Sequence, residues 1–347
     1  MLKTENKNKK SFIEWFKHRW TTEPLFSTAI ALLIMIVIQT VVLGFDYDSF
    51  GSWFSSWIRN WINILRNNAG VGIISLGMTF VIISGGIDLA VGSTLVAVGA
   101  IIMMLIDTGP KGILAGIGLT GAPAFAVAIL IAIAIGCLFG TGIGLLITKG
   151  KIPPFIATLG AMKIFRSLTQ HFMQGYNPTV PKGFLQISSF KIGNLMLMPI
   201  IYWAIAAFIL NYVSKRTVFG RQVIAVGSNE RAAKLSGINV VKVKTKVYSL
   251  MGVLVAIAAI IQVSRIGSMD FANAGSGSEM DAIAAAVVGG TSMSGGKGTI
   301  IGTVFGMLII AVMNNLLNLF GVPPFLREAF KGMLVVFAVL LQRKEES

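Results

Sequence analysis

The chain has 347 residues, 54% hydrophobic and 12% charged, with a mean hydropathy of +0.79 and a net charge of +15. Soluble domains carry roughly 25% charged residues, so a single water-facing core is excluded and the apolar surface needs lipid as its solvent. The positive charge is no nucleic-acid footprint, because Lys and Arg sit in short connections between apolar runs, the positive-inside pattern. One cysteine (Cys137) and two histidines far apart (His18, His171) leave no disulfide framework, cysteine metal site or nucleophile–histidine pair.

The basic stretch MLKTENKNKKSFIEWFKHRW precedes about 20 apolar residues with no small-residue cleavage site. It reads as a cytoplasmic segment, 1–24, before an uncleaved first span. Residues 25–347 read as one all-α polytopic membrane domain of about ten transmembrane helices with glycine-broken helical hairpins. Candidate spans lie near 25–45, 69–84, 89–107, 123–147, 153–173, 195–213, 247–265, 280–290, 298–320 and 325–342. The pieces 69–84 and 280–290 are short for a crossing, which needs about 20 residues, and read as re-entrant or broken.

Between the first two candidates, FGSWFSSWIRNWINILRN puts Trp53, Trp57 and Trp61 on one helix face, with Arg59, Asn60 and Asn63 off it. The expectation is a separate amphipathic helix, 50–66, in the outer interface, serving as an anchor or as a dock for an external partner. Lys and Arg set the orientation. The first twenty residues, the Thr-Lys-Gly-Lys connection at 148–151 and the 215–246 loop, with eight basic residues and one acid, fall inside. The 175–194 loop falls outside. So does 267–281, which has three acids and no basic residue. Ten spans return the C-terminus to the cytoplasm.

Two segments are alike: MTFVIISGGIDLAVGSTLVAVGA and DAIAAAVVGGTSMSGGKGTIIGT. Each has an apolar half-helix, a glycine pair (Gly85-Gly86, Gly289-Gly290), a polar turn and a second apolar helix. Glycine-interrupted apolar segments in corresponding halves of a chain point to a transport pathway, because unwound backbone at membrane depth must be buried in protein or line a watery cavity. Gly85, Gly86, Asp88, Gly289, Gly290 and Thr291 are therefore pathway candidates. Asp88 either caps the following helix, lines the solute path, or contacts a neighbouring loop. GGTSMSGGKGT is not a phosphate loop: Thr291 stands where the first glycine of that motif belongs, and Gly298 follows the lysine.

Other intramembrane charges are few. Lys163 and Arg166 share a face, and Arg327, Glu328 and Lys331 can pair locally. The chain of acids that a proton-driven carrier needs is absent. Asn314 and Asn318, with Asn315, make a polar stripe in an apolar helix, either for interhelical bonding or for contact with a hydroxylated solute.

Within 215–246, Asn229 to Leu235 reads as a short helix with Glu230 in its first turn and a stop at Gly237. Its alanines, Ala232 and Ala233, leave room for another surface to approach.

GMTFVIISGGIDLAVGS, KIPPFIATLG, FGRQVIAVGSNERAAKLSGINV, EMDAIAAAVVGGTSMSGGKGTIIGT and NNLLNLFGV resemble, in that order, the permease subunits of monosaccharide ABC importers of the ribose type. The likeness covers about residue 60 to the C-terminus. It implies a bacterial inner or plasma membrane protein in which two permease copies form the pore. A cytoplasmic ATPase with tandem nucleotide-binding domains drives transport, and an extracytoplasmic binding protein delivers the sugar. It makes Asn229, Glu230, Arg231, Ala232, Ala233, Leu235 and Gly237 the ATPase-coupling segment, a degenerate EAA-type motif in which Arg231 intervenes. No cofactor is expected on this chain, ATP belongs to the partner, and the chain makes and breaks no covalent bond. Rival cargoes of the same architecture are galactofuranose, xylose, nucleosides, autoinducer-2 and branched-chain amino acids. An ion-coupled secondary carrier is a rival class.

Overall fold

The computed structural model describes residues 24–109, 111–323, 326–333 and 336. The basic residues expected on the cytoplasmic N-terminal segment lie outside that range, as does much of the last candidate span, of which 326–333 are helical.

In chain order the described helices are α1 (Pro24–Leu43), α2 (Phe50–Ile83), α3 (Val91–Ile106), α4 (Ile113–Gly116), α5 (Gly121–Thr148), α6 (Pro154–Met173) and α7 (Lys182–Ser189). A two-stranded antiparallel hairpin follows, β1 (Lys191–Ile192) and β2 (Leu195–Met196). Then come α8 (Met198–Arg216), α9 (Val218–Ser228), α10 (Glu230–Leu235), α11 (Val240–Ile266), α12 (Ser278–Val288) and α13 (Ile300–Leu319). Six of them, α1, α2, α5, α8, α11 and α13, are long and apolar enough to cross a membrane; α3 is a shorter apolar helix.

One sequence expectation fails here. Residues 50–66 and 69–84 are not two elements but the single helix α2, 34 residues and about 51 Å long at 1.5 Å per residue. It opens with a reciprocal capping box between Ser49 and Ser52. The polar residues from Arg59 to Asn68 include no proline, so they change the character of one face without ending the helix. The indoles bind α1 and its end as well: Trp57 Nε1 donates to Thr40 Oγ1 (3.0 Å) and Trp53 Nε1 to the Gly44 carbonyl (3.0 Å).

The stretch 215–246 holds the expected short helix at Glu230–Leu235, and most of the rest of it is helical too. Thr217, Asn229 and Asn239 cap α9, α10 and α11 in turn, each side chain accepting from a backbone N–H two or three residues into the helix. Lys242, Lys244 and Lys246 thus ride on the first two turns of α11. The 175–194 connection likewise holds α7 and the first strand of the hairpin.

The centre of the molecule is α11, which packs along α5, α2 and α3, while α13 packs on α12, α1 and α2. From Gly72 to Ile83, α2 is buried on every side. On α5 the buried residues include Ala124, Ala128, Ala132, Gly136, Gly140 and Gly144, one every fourth position. Lipid supplies no hydrophobic drive between helices, so close backbone approach and interhelical hydroxyls hold them instead. Thr141 and Ser249 hydroxyls lie 2.7 Å apart across this seam, and Thr148 and Thr245 hydroxyls 3.2 Å.

Asp107 closes the far end of α3. Its carboxylate accepts from Tyr176 Oη (2.5 Å), Thr179 N–H (2.8 Å) and Gly109 N–H (2.9 Å). Burial works to raise its pKa, but these bonds together outweigh it and hold the carboxyl below the usual range. A depressed folded pKa contributes stability above the unfolded value of about 3.9, lost as pH falls through the folded one. The melting temperature of the detergent-purified chain is therefore expected to exceed that of Asp107→Asn near neutral pH. The gap should close below about pH 4.

Candidate functional site

Both glycine breaks are Schellman turns. At the end of α2, Gly85 N–H donates to Ile82 O (2.9 Å) and Gly86 N–H to Val81 O (3.0 Å), with Gly85 at φ +78°. At the end of α12, Gly290 N–H donates to Val287 O (2.9 Å) and Thr291 N–H to Ala286 O (2.9 Å), with Gly290 at φ +86°. The glycine pairs are thus offset by one: Gly85 corresponds to Gly290, and Gly86 to Thr291. Within each pair one glycine supplies the left-handed turn and the other close approach. A Cβ on Gly86 would overlap the Tyr248 hydroxyl, and one on Gly289 the Gly302 carbonyl.

Asp88 is 3% exposed, and its Oδ1 accepts from Ala90 N–H (2.8 Å). Ala90, not Asp88, occupies the cap position of α3, and no side chain caps that helix. Asp88 shapes the turn leading into it, an Asx arrangement. α13 is capped by Thr299, whose Oγ1 accepts from Gly302 N–H (3.0 Å).

The two breaks touch. Gly296 N–H donates to Ile83 O (2.9 Å), and the buried hydroxyls of Thr79 and Thr303 lie 2.6 Å apart between α2 and α13. At the start of α3, Gly92 packs on the Gly275 backbone, where a Cβ would overlap the carbonyl.

Further along the same two helices lies a cavity of about 210 Å³. Asn63, Asn67 and Asn68 of α2 line one side, and Asn314, Asn315 and Asn318 of α13 the other, with Arg327 at the rim. Asn314 and Asn318, expected from sequence, are in it. The α2 amides are not among the residues expected from sequence, because the expected boundary between an interfacial helix at 50–66 and a span at 69–84 falls among them. The signal was there: Asn60, Asn63, Asn67 and Asn68 recur at helical spacing. Asn315 Nδ2 reaches Asn60 Oδ1 (3.4 Å), Arg265 donates to Asn67 Oδ1 (2.8 Å) and Arg66 to Asn63 Oδ1 (3.1 Å). Asn314 Oδ1 is buried without a hydrogen-bond partner among the described residues. A buried amide oxygen left so costs free energy, and here it flanks a cavity a ligand hydroxyl can enter. The glycines of the breaks, Asp88 and Thr291 are not among the residues lining this cavity.

Arg166 and Lys331 are structural ties. Arg166 donates to the carbonyls of Ala272 and Ala274, and Lys331 pairs with Asp281 (3.1 Å) and Glu328 (3.0 Å).

At the opposite end, Asn229 Oδ1 accepts from Ala232 N–H (2.9 Å) to start α10. A third Schellman turn ends it: Gly237 sits at φ +81°, its N–H donates to Lys234 O, and Ile238 N–H donates to Ala233 O. Lys244 on α11 pairs with Glu230 (2.6 Å) and ties the helix down. The two alanines part company. Ala233 is buried against the body, whereas Ala232 faces out with Arg231. Leu235 is 90% exposed, an apolar side chain presented entirely to the outside.

The model of the family described as branched-chain amino acid transport system / permease component matches residues 60–339. The ribose import permease protein RbsC of Bacillus subtilis is 44% identical over 289 residues, 82% of this chain and 85% of that protein. RbsC of Escherichia coli K12 is 37% identical over 338 residues, 96% of this chain and 97% of its own length. The fructose import permease protein FrcC of Rhizobium meliloti is 31% identical, covering 96% and 89%. No solved structure matches. With a matched model over most of its length and relatives aligned almost end to end, this membrane-spanning chain belongs to the permease-component family of branched-chain amino acid transport systems.

Proposed function

We propose that this chain is the membrane permease of an ATP-driven importer for a small neutral sugar, ribose first among them. The observation that carries the reading is the amide-lined cavity between α2 and α13. Asparagine offers both a donor and an acceptor, which suits a solute whose surface is hydroxyl. None of the acids that an ion-coupled carrier would string through the bilayer lines it. The similarity to ribose permeases supports ribose over other cargoes. Fructose import by a more distant relative keeps other sugars as the second reading.

In this reading both termini are cytoplasmic and the protein sits in the bacterial inner membrane. The amide face opens toward a second copy of the chain, so that two cavities flank one path. A binding protein releases sugar into the outer mouth, and a separate ATPase with two nucleotide-binding domains docks under α10. ATP closes the ATPase, α10 moves, and the path alternates between outward and inward access. The breaks beside Gly85 and Gly290 are where the path can bend, since each is the point at which the backbone leaves one helix and turns toward the next.

The test is co-purification of the chain from its native membranes in mild detergent, followed by ATP hydrolysis with and without sugar-loaded binding protein. Recovery of an ATPase stimulated by ribose-loaded binding protein is expected. Recovery of the chain alone, still able to move sugar without ATP, would replace the reading with a secondary carrier. Leu235→Asp is expected to weaken ATPase retention by about 2 kcal/mol, the scale of an interface anchor, as measured by pull-down.

A further inference from the structure

Three backbone segments meet immediately before α10. The last carbonyl of α2, at Ile83, accepts from Gly296 N–H in the second break (2.9 Å). Gly227, one residue from the end of α9, lies against the same carbonyl. A Cβ there would overlap Ile83 O and come 2.7 Å from Gly296 N. A Cβ on Gly296 would overlap Ser228 Oγ and reach 2.8 Å from Ser228 Cα. One on Gly295 would lie 2.9 Å from Gly227 O and 3.2 Å from Ile83 O. Two residues after Gly227, Asn229 caps α10.

We infer that Gly227, Gly295 and Gly296 form a close-packed glycine joint through which a displacement of α10 reaches both glycine breaks at once. The inference rests on the reading of α10 as the ATPase dock. The contacts of Gly227 and Gly295 are backbone against backbone, the short Ser228 hydroxyl being the side chain beside Gly296, and close-packed backbone passes on displacement instead of absorbing it. Each arm of the joint ends beside a turn that can yield. Ile83 precedes the turn at Gly85, which has a positive φ and nothing within 4 Å of where a Cβ would sit. Gly296 belongs to the stretch that follows the turn at Gly290. α9 and α10 share Asn229, which ends the one and caps the other, so a push on α10 is applied two residues from the joint. Gly227, Gly295 and Gly296 are positioning residues: they touch no solute and act by fixing where the two breaks sit relative to the dock.

The experiment uses the assembled transporter in proteoliposomes, with its ATPase and binding protein, and reads sugar imported per ATP hydrolysed. Gly227→Ala should retain the ATPase and hydrolyse ATP, with the ratio lowered roughly tenfold. Gly175→Ala likewise places a side chain at positive φ (+68°, against +85° at Gly295) but has nothing within 4 Å; it should keep the wild-type ratio. If Gly227→Ala does not reach the membrane, Gly295→Ala carries the test, because its added atom meets its nearest neighbour at 2.9 Å, a milder clash than the direct overlap at Gly227. A wild-type ratio in the variants with the ATPase still bound would overturn the joint and leave the docking of α10 standing. So would a parallel fall in import and hydrolysis at constant ratio, which is what mere destabilisation gives. Failure of the unsubstituted chain to hold any ATPase would sink the docking reading, and the joint as a coupling device with it.

Discussion

Gly252→Val is expected to prevent the permease from accumulating as a folded protein. Gly252 of α11 faces Gly136 of α5, and a Cβ on either residue would overlap the other's carbonyl oxygen. Gly140 meets the Tyr248 carbonyl in the same way, and a Cβ on Gly144 would come 2.9 Å from Thr245 Cα. The obstacle at each point is backbone in a rigid helix, so a new side chain cannot be accommodated by a rotamer change. The helices must separate, and the Thr141–Ser249 and Thr148–Thr245 hydroxyl pairs then break with them. Overpacking in a well-packed interior costs about 1–3 kcal/mol. Here it falls at the upper end and is joined by lost hydrogen bonds, against a total stability of about 5–15 kcal/mol. Size-exclusion profiles of detergent extracts measure it: loss of the monodisperse peak is expected. Gly142→Val, on the same helix α5 but with nothing within 4 Å, should keep the peak.

Asn314→Leu is expected to cut sugar import about tenfold while the ATPase stays bound. The two side chains are close in size, so packing changes little. What is lost is a buried amide oxygen without a partner among the described residues, beside a cavity with five other asparagines. A hydrogen bond of this kind is worth about 1–1.5 kcal/mol, near tenfold in rate when it is made only as the solute passes. Uptake of labelled ribose by proteoliposomes, compared with ATPase retention in the same preparation, separates lost passage from lost assembly.

The parts of this architecture legible in the sequence are those governed by neighbours along the chain. The breaks were visible because Gly85-Gly86 and Gly289-Gly290 interrupt apolar runs. Each contains the positive-φ residue that a Schellman turn needs, though only coordinates reveal that the pairs are offset by one. α10 was visible because Asn229 and Gly237 are local start and stop signals. The continuity of α2 was not, because the polar cluster from Arg59 to Asn68 mimics a boundary. Its meaning depends on Asn314, Asn315 and Asn318, some 250 residues away in sequence. The small-residue ladder on α5, from Ala124 to Gly144, is periodic in the sequence, but only α11 lying along it says what the small residues admit. Burial of Ala233 beside exposed Ala232 is likewise decided by α10 lying on the protein body, not by the alanines themselves.

The central claim is that this chain passes a neutral sugar under the power of a separate ATPase. The most direct test is labelled ribose uptake into proteoliposomes containing the chain, its ATPase and its binding protein, with ATP supplied or withheld on the ATPase side and unlabelled fructose, xylose or a nucleoside as competitor. The account predicts uptake only with ATP, displaced best by unlabelled ribose. Uptake that persists without ATP and follows an imposed ion gradient would contradict it.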